Sequence, residues 1–199
     1  MSATGAMTSL DALRLLRTVR GDKDIVVSAM GAARDWMALG THPRDWVFVP
    51  SSMGQATSLG LGLALARPDL RVIVLGGDGG LIMNLGSLIT ITGQAPANLF
   101  ILIFDNGVYE VTGAQPTPAA TAGENAVDLP AIVQGCGIRS IYHWSHIDDV
   151  RAGIDAALRV PGPTVIVLDV LPVPEARGPR SPGPTAERAR RFREALQVD

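Results

Sequence analysis

The sequence predicts an α/β domain built on a doubly wound, mostly parallel sheet with helices on both faces. Three observations lead there. Apolar periodicity switches repeatedly between a helical and a strand-like repeat. The strongest strand candidates are apolar on both faces, as strands covered by helices on two sides must be. The run "VIVLGGDGG", residues 72–80, passes from a branched apolar strand straight into a glycine-rich turn.

Taken in order, "SLDALRLLRTVR" is an amphipathic helix with Ser9 or Thr8 as its N-cap. "DIVVSAM" is a short strand, and "AARDWMALG" a helix ending near Gly40. "DWVFVP" is a strand stopped by Pro50, and "GQATSLGLGLALARP" a helix of small residues stopped by Pro68. "LRVIVLGGD" is a buried strand, "GLIMNLGSLITITGQ" a single helix and "NLFILIFDN" another buried strand. A turn-rich stretch runs from Gly107 to Asn125. Helix "VDLPAIVQGCG", strand "IRSIYHW", helix "HIDDVRAGIDAALRV" and strand "PTVIVLDVLP" follow. From Pro172 the composition shifts to a linker, "PVPEARGPRSPGP", and a charged helix, "TAERARRFREALQ". The expected division is a domain over residues 1–171 and a linker with a terminal helix over 172–199. That helix reads either as an RNA- or partner-binding tail or as a solvated helix packed on the body or on another subunit.

Of 199 residues 47% are apolar and 18% charged, which describes a globular chain rather than a disordered one. No apolar run reaches the ~18 residues of a membrane span. No basic start precedes an apolar core at the N-terminus, and Cys136 is the only cysteine, so a cytoplasmic protein is expected. A net charge of −2 gives no electrostatic reason to bind nucleic acid. The only lysine, Lys23, lies in a polar turn, which argues against Schiff-base chemistry.

Glycine-rich turns after strands cradle phosphates, yet this one carries a carboxylate, Asp78. A Walker loop needs a Gly-Lys-Ser/Thr end that is absent. A dinucleotide fingerprint needs a third glycine where Ile82 stands, and a carboxylate at its tip would repel pyrophosphate. A plain structural turn remains open. A hard cation such as Mg²⁺ resolves the conflict, because it attracts both the carboxylate and a diphosphate. Its second ligand should lie on a neighbouring strand end, and "NLFILIFDN" ends in Asp105-Asn106, one helix and one strand later.

Gly-Asp-Gly followed at this interval by a strand ending in Asn resembles the motif of thiamine diphosphate-dependent enzymes, whose diphosphate-binding domain is a doubly wound α/β unit. The resemblance implies thiamine diphosphate and Mg²⁺ as cofactors. Asp78, the Asn106 side chain and the Val108 carbonyl would be metal ligands, with the N–H groups of Gly79 and Gly80 facing the diphosphate. It further implies cofactor contacts at Gly31, Ser52, Met53, Gly54, Gly77 and Tyr109. Met53, in "SSMGQATSLG", stands where the family wedges an apolar side chain between the cofactor rings. The alternative for Met53 is a buried core methionine. "DNGVYEVTGAQPT" is similar to the matching stretch of sulfopyruvate decarboxylase β subunits and phosphonopyruvate decarboxylases. Glu110 and Thr112, just past the metal ligands, would then face substrate, and with Met53 they are the candidate catalytic residues. "SAMGAARDW" departs from the pattern: Gly31 and Arg34 fit, but Met30, Ala32 and Ala33 lack the usual hydroxyls.

In that family a glutamate on a separate pyrimidine-binding domain starts the proton relay. A second domain of ~150 residues has no room here, and Glu110, Glu124 and Glu175 are not given that role. The resemblance therefore implies a split enzyme whose partner is a pyrimidine-binding α subunit, in an α2β2 or larger assembly. The expected reaction is decarboxylation of sulfopyruvate, phosphonopyruvate or a related 2-oxo acid. Carboligation and a non-catalytic assembly role are the alternatives. Arg34, Arg44 and Arg139 are candidates for an anionic substrate group or for surface ion pairs. His143 and His146 straddle a strand-to-helix junction with no third ligand in sequence, and His42 is a loop residue without an evident partner.

Overall fold

A computed structural model describes residues 6–50, 53–120 and 127–197. Ser52 and Glu124 lie outside the described residues. Helix α1 (Ser9–Val19) leads into β1 (Ile25–Ser28), α2 (Met30–Ala38) and β2 (Asp45–Val47). Then come α3 (Ala56–Ala66), β3 (Val72–Gly77), α4 (Asp78–Met83), α5 (Gly86–Gln94) and β4 (Leu99–Asp105). A small ribbon, β5 (Val108–Tyr109) and β6 (Gln115–Pro116), precedes α6 (Leu129–Gly135), β7 (Ser140–Trp144), α7 (Ile147–Ala157), β8 (Thr164–Asp169) and α8 (Thr185–Gln197).

Six strands form one sheet in the order β2-β1-β3-β4-β8-β7, and every pairing is parallel. β4 shows why both faces must be covered. Its Phe100, Leu102 and Phe104 pack with α1, α2 and α7, whereas Leu99, Ile101 and Ile103 pack with α3, α5 and α6. Each such side chain, wholly withdrawn from water, contributes about 1.5–3 kcal/mol. The expected fold class therefore stands.

Thr8 is the N-cap of α1, in a reciprocal box with Asp11. The helix expected from Gly80 to Gln94 is two helices. Asn84 leaves the α region (φ −140°, ψ 42°) at the end of α4. Its side-chain amide donates to the Gly54 carbonyl at 2.9 Å, which makes the break profitable and ties α4 to the loop before α3.

Residues 172–197 do not stand apart from the body. α8 lies against the edge strand β2, with the Phe192 and Trp46 rings 5.4 Å apart. Arg188 donates to the carbonyls of Val47 and Val49 and lies 5.0 Å over the Trp46 ring. α8 thus covers an edge whose unpaired backbone groups would otherwise be open to another strand. Arg44 is buried here, donating to the Ala195 and Lys23 carbonyls. His42 has partners after all: its Nδ1 faces Arg20 Nη2 at 2.7 Å and accepts from the Arg44 N–H at 3.1 Å.

Candidate cofactor and metal site

The chain leaves β1 for β2 through α2 on one face of the sheet, and leaves β3 for β4 through α4 and α5 on the other. Between the C-terminal ends of β1 and β3 the winding changes direction, and open α/β sheets bind ligands in that crevice. One cleft there is lined by Gly31, Met53, Gly54, Gly77, Asp78, Gly79, Gly80, Asn106, Val108, Tyr109, Glu110 and Thr112. Every described residue that the sequence marked as a cofactor, metal or catalytic candidate is therefore in one place. Arg44 and Arg139 are not. They precede β2 and β7, at the opposite edge of the parallel sheet, and Arg139 is exposed.

Asp78 is the first residue of α4 and only 1% exposed. Its Oδ2 accepts a 2.8 Å hydrogen bond from the Thr117 hydroxyl. Burial pushes the Asp78 carboxyl above the ordinary carboxylate range, while Thr117 and the N–H groups of Gly79, Asp78 and Asn106 act the other way. Neighbouring Asp105 is pushed up to about 6, by burial and then by the charge of Asp78. Among the described residues neither carboxylate has a salt-bridge partner. A buried carboxyl without a cationic partner, beside a second that is half-buried, suits a hard divalent ion.

The neighbouring strand end supplies more oxygen. Asn106 Oδ1 accepts from the Val108 N–H at 3.0 Å, and its Nδ2 donates to Glu110 Oε1 at 3.3 Å. Val108 and Pro116 form a non-hydrogen-bonded pair of the ribbon, next to the Thr117–Gly107 bond, so the ribbon leaves the Val108 carbonyl unclaimed. The same ribbon returns the chain to Asp78 through Thr117, whose N–H donates to the Gly107 carbonyl at 2.8 Å.

The glycines fit a cradle. A Cβ on Gly76 would meet nothing within 4 Å and would project into the cleft. A Cβ on Gly79 would lie 2.4 Å from the Tyr109 ring, so no side chain fits between that turn and the ribbon. Gly54 has φ +82°, and a Cβ there would lie 2.8 Å from the Gly80 carbonyl. Met30, the first residue of α2, is held at φ 54°, a strained conformation at the cleft wall. Met53 is half-buried in the cleft lining. Thr112 is exposed at the cleft, with its hydroxyl toward the Tyr109 carbonyl.

Glu110 does not present a free carboxylate. Its Oε2 lies 3.1 Å from Arg34 Nη1, and its Oε1 also accepts from the Val173 N–H at 2.7 Å. Arg34 is paired in turn with Asp35 at 2.7 Å, and Asp35 accepts from Ser9 at the start of α1. Arg34 is therefore committed within the protein rather than free for substrate. Sequence reasoning missed Thr117, Gly76 and the Ser9–Asp35 link. Thr117 closes the stretch "DNGVYEVTGAQPT", and Gly76 opens the glycine cluster, so both carried a signal. Asp35 carried none. His143 pairs with Asp169 at 2.8 Å, while His146 is the N-cap of α7. Among the described residues no group of three or more His, Cys, Asp or Glu is placed to hold a metal. A site of one carboxylate, one amide and one carbonyl must take its remaining oxygens from ligand and water, as Mg²⁺ sites do.

Fold and cleft define a doubly wound domain with a glycine-lined cleft at its switch point. Comparison with known proteins places it further. The family model of thiamine pyrophosphate enzymes, C-terminal TPP binding domain, matches residues 29–168. Phosphonopyruvate decarboxylase of Streptomyces hygroscopicus is 39% identical over 190 residues, 95% of this chain and 46% of that protein. Sulfopyruvate decarboxylase subunit beta of Methanothermobacter thermautotrophicus is 34% identical over 163 residues, 82% of each chain. An X-ray structure described as a thiamin diphosphate-dependent enzyme isolated from Mycobacterium smegmatis shares the fold, with TM-score 0.71 and 24% identity over 85% of this chain and 33% of that one. The chain spans about half the length of the phosphonopyruvate decarboxylases it matches. It belongs to the thiamine pyrophosphate enzymes, as a member of their C-terminal TPP-binding domain family.

Proposed function

We propose that this chain is the diphosphate- and Mg²⁺-binding β subunit of a split thiamine diphosphate-dependent decarboxylase. Its substrate would be sulfopyruvate, phosphonopyruvate or a related 2-oxo acid. The observation that carries this reading is the buried Asp78 carboxylate, without a cationic partner among the described residues, beside Asn106 at the adjoining strand end. A divalent cation between these oxygens and a diphosphate satisfies both anions.

Asp78, the Asn106 side chain and the Val108 carbonyl are the proposed metal ligands. The N–H groups of Gly79 and Gly80 serve the diphosphate, and Gly76 leaves the room it needs. Met53, in the cleft lining, would hold the cofactor's rings in position, and Thr112 would serve the substrate. Thiamine diphosphate, when bound, supplies the electron sink that release of CO₂ from a 2-oxo acid requires. What this chain contributes is orientation and charge balance around it.

The likeness to a sulfopyruvate decarboxylase beta subunit over 82% of each chain supports a partner subunit. So does the state of the cleft's own carboxylates. Asp78 is held by Thr117, and Glu110 by Arg34, Asn106 and Val173, so a glutamate that starts the proton relay is assigned to the partner.

The test is thermal unfolding with thiamine diphosphate, Mg²⁺, both or neither, on the chain alone and with the partner that co-purifies from its host. Both together should raise the midpoint and either alone should not, and Asp78→Asn should abolish the gain. The complex should release CO₂ from sulfopyruvate or phosphonopyruvate. No cofactor-dependent gain with the partner present, or CO₂ release undiminished in Asp78→Asn, would overturn the proposal.

A further inference from the structure

We infer that Glu110 is a positioning residue that sets which end of the Asn106 amide faces the metal. The inference rests on the proposed reading of Asp78 and Asn106 as ligands. An asparagine amide has an oxygen that binds a hard cation and an NH₂ group that repels one. Rotation about the last side-chain bond exchanges them, so a ligand asparagine needs a neighbour that distinguishes the two ends.

Two neighbours do so here. The Val108 N–H donates to Oδ1 at 3.0 Å, leaving a second lone pair on that oxygen. Glu110 Oε1 accepts from Nδ2 at 3.3 Å. A carboxylate only accepts, so it would repel Oδ1 and admit only Nδ2. Glu110 is itself fixed from two other directions. Arg34 holds Oε2 at 3.1 Å, and the Val173 backbone N–H holds Oε1 at 2.7 Å. Its side chain is 9% exposed, so water competes little for these bonds.

The three anchors come from separate parts of the chain: Arg34 in the middle of α2, Asn106 just after β4 and Val173 after β8. Glu110 therefore joins α2, the helix that bears Gly31, to the strand end that bears Asn106. The sequence expectation that it faces substrate gives way to this role, because its oxygens are turned into the protein.

The experiment is a double-mutant cycle on metal affinity in the full chain, with its partner where one co-purifies, saturated with thiamine diphosphate. Mn²⁺ stands in for Mg²⁺ and is read by electron paramagnetic resonance. Glu110→Ala should weaken Mn²⁺ binding by about 10- to 100-fold, the range for residues that orient ligands. In an Asn106→Ala background the same change should cost nothing further, because no amide remains to orient. A merely structural role would give equal losses in both backgrounds, and that result, or unchanged affinity in Glu110→Ala, would overturn the inference. Thermal unfolding reports folding of each variant. If Glu110→Ala fails to fold, Glu110→Gln, which keeps the shape and one acceptor oxygen, completes the cycle with a smaller loss of the same pattern. Failure of the unaltered protein to bind Mn²⁺ would instead overturn the proposed function.

Discussion

The Thr117 hydroxyl donates to Asp78 Oδ2 across 39 positions of sequence, and both side chains are almost wholly buried. The bond fixes one of the two carboxylate oxygens. Thr117→Val keeps the shape and removes the donor. In metal-free protein it should cost about 1–3 kcal/mol in urea unfolding, the penalty for a buried acceptor left unsatisfied. Thr117→Ser should restore most of it.

Gly79 lies against the Tyr109 ring, where an added Cβ would stand 2.4 Å from ring carbon. Gly79→Ala should displace the ribbon and lower affinity for thiamine diphosphate with Mg²⁺ by at least about tenfold, as a misplaced oriented site does. The six-stranded sheet does not depend on this contact. Far-ultraviolet circular dichroism should therefore be unchanged while calorimetric titration registers the loss.

Arg188 contributes two charge-assisted hydrogen bonds, to the Val47 carbonyl at the end of β2 and to the Val49 carbonyl beyond it, and a cation–π contact with Trp46. Arg188→Ala should destabilise the chain by about 2 kcal/mol in denaturant unfolding. It should also increase self-association on a sizing column, because the edge of β2 loses its cover.

His42 gives a pH dependence of known sign. Burial, and then the charge of Arg20, hold its pKa below the ordinary 6.5. Its Nδ1 accepts from the Arg44 N–H, a bond that a proton on that nitrogen removes. The unfolded chain takes up the proton first as pH falls, so the contribution is complete above about pH 6.5 and is lost below it. Stability relative to His42→Gln, measured in urea at intervals from pH 8 to pH 5, should decline over that span.

Much of this was legible because the signals were local. Val72–Leu75 and Leu99–Phe104 are unbroken branched and aromatic runs, and strands of that kind are buried on both faces wherever they occur. Asp78 and Asn106 were legible because each sits where such a run meets a turn. The break at Asn84 was not, since "LIMNLGSLITI" has continuous helical periodicity. The break is made by a bond to Gly54, 30 positions away. The commitments of Glu110 and Arg34 were equally hidden, because Val173 lies 63 positions from Glu110. The packing of α8 did leave a trace, in that Phe192 and Leu196 are four apart on one helical face and both lie against the body.

The segment after β8 changes where the gene can be cut. Composition invites a stop codon after Leu171, where the prolines begin. A protein ended there would lack the Val173 amide that steadies Glu110 and the Arg188 side chain that shields β2. The shortened chain would be a poorer ligand-binder with an adhesive flank. An affinity tag on this protein belongs beyond residue 199, on the far side of α8, rather than in place of it.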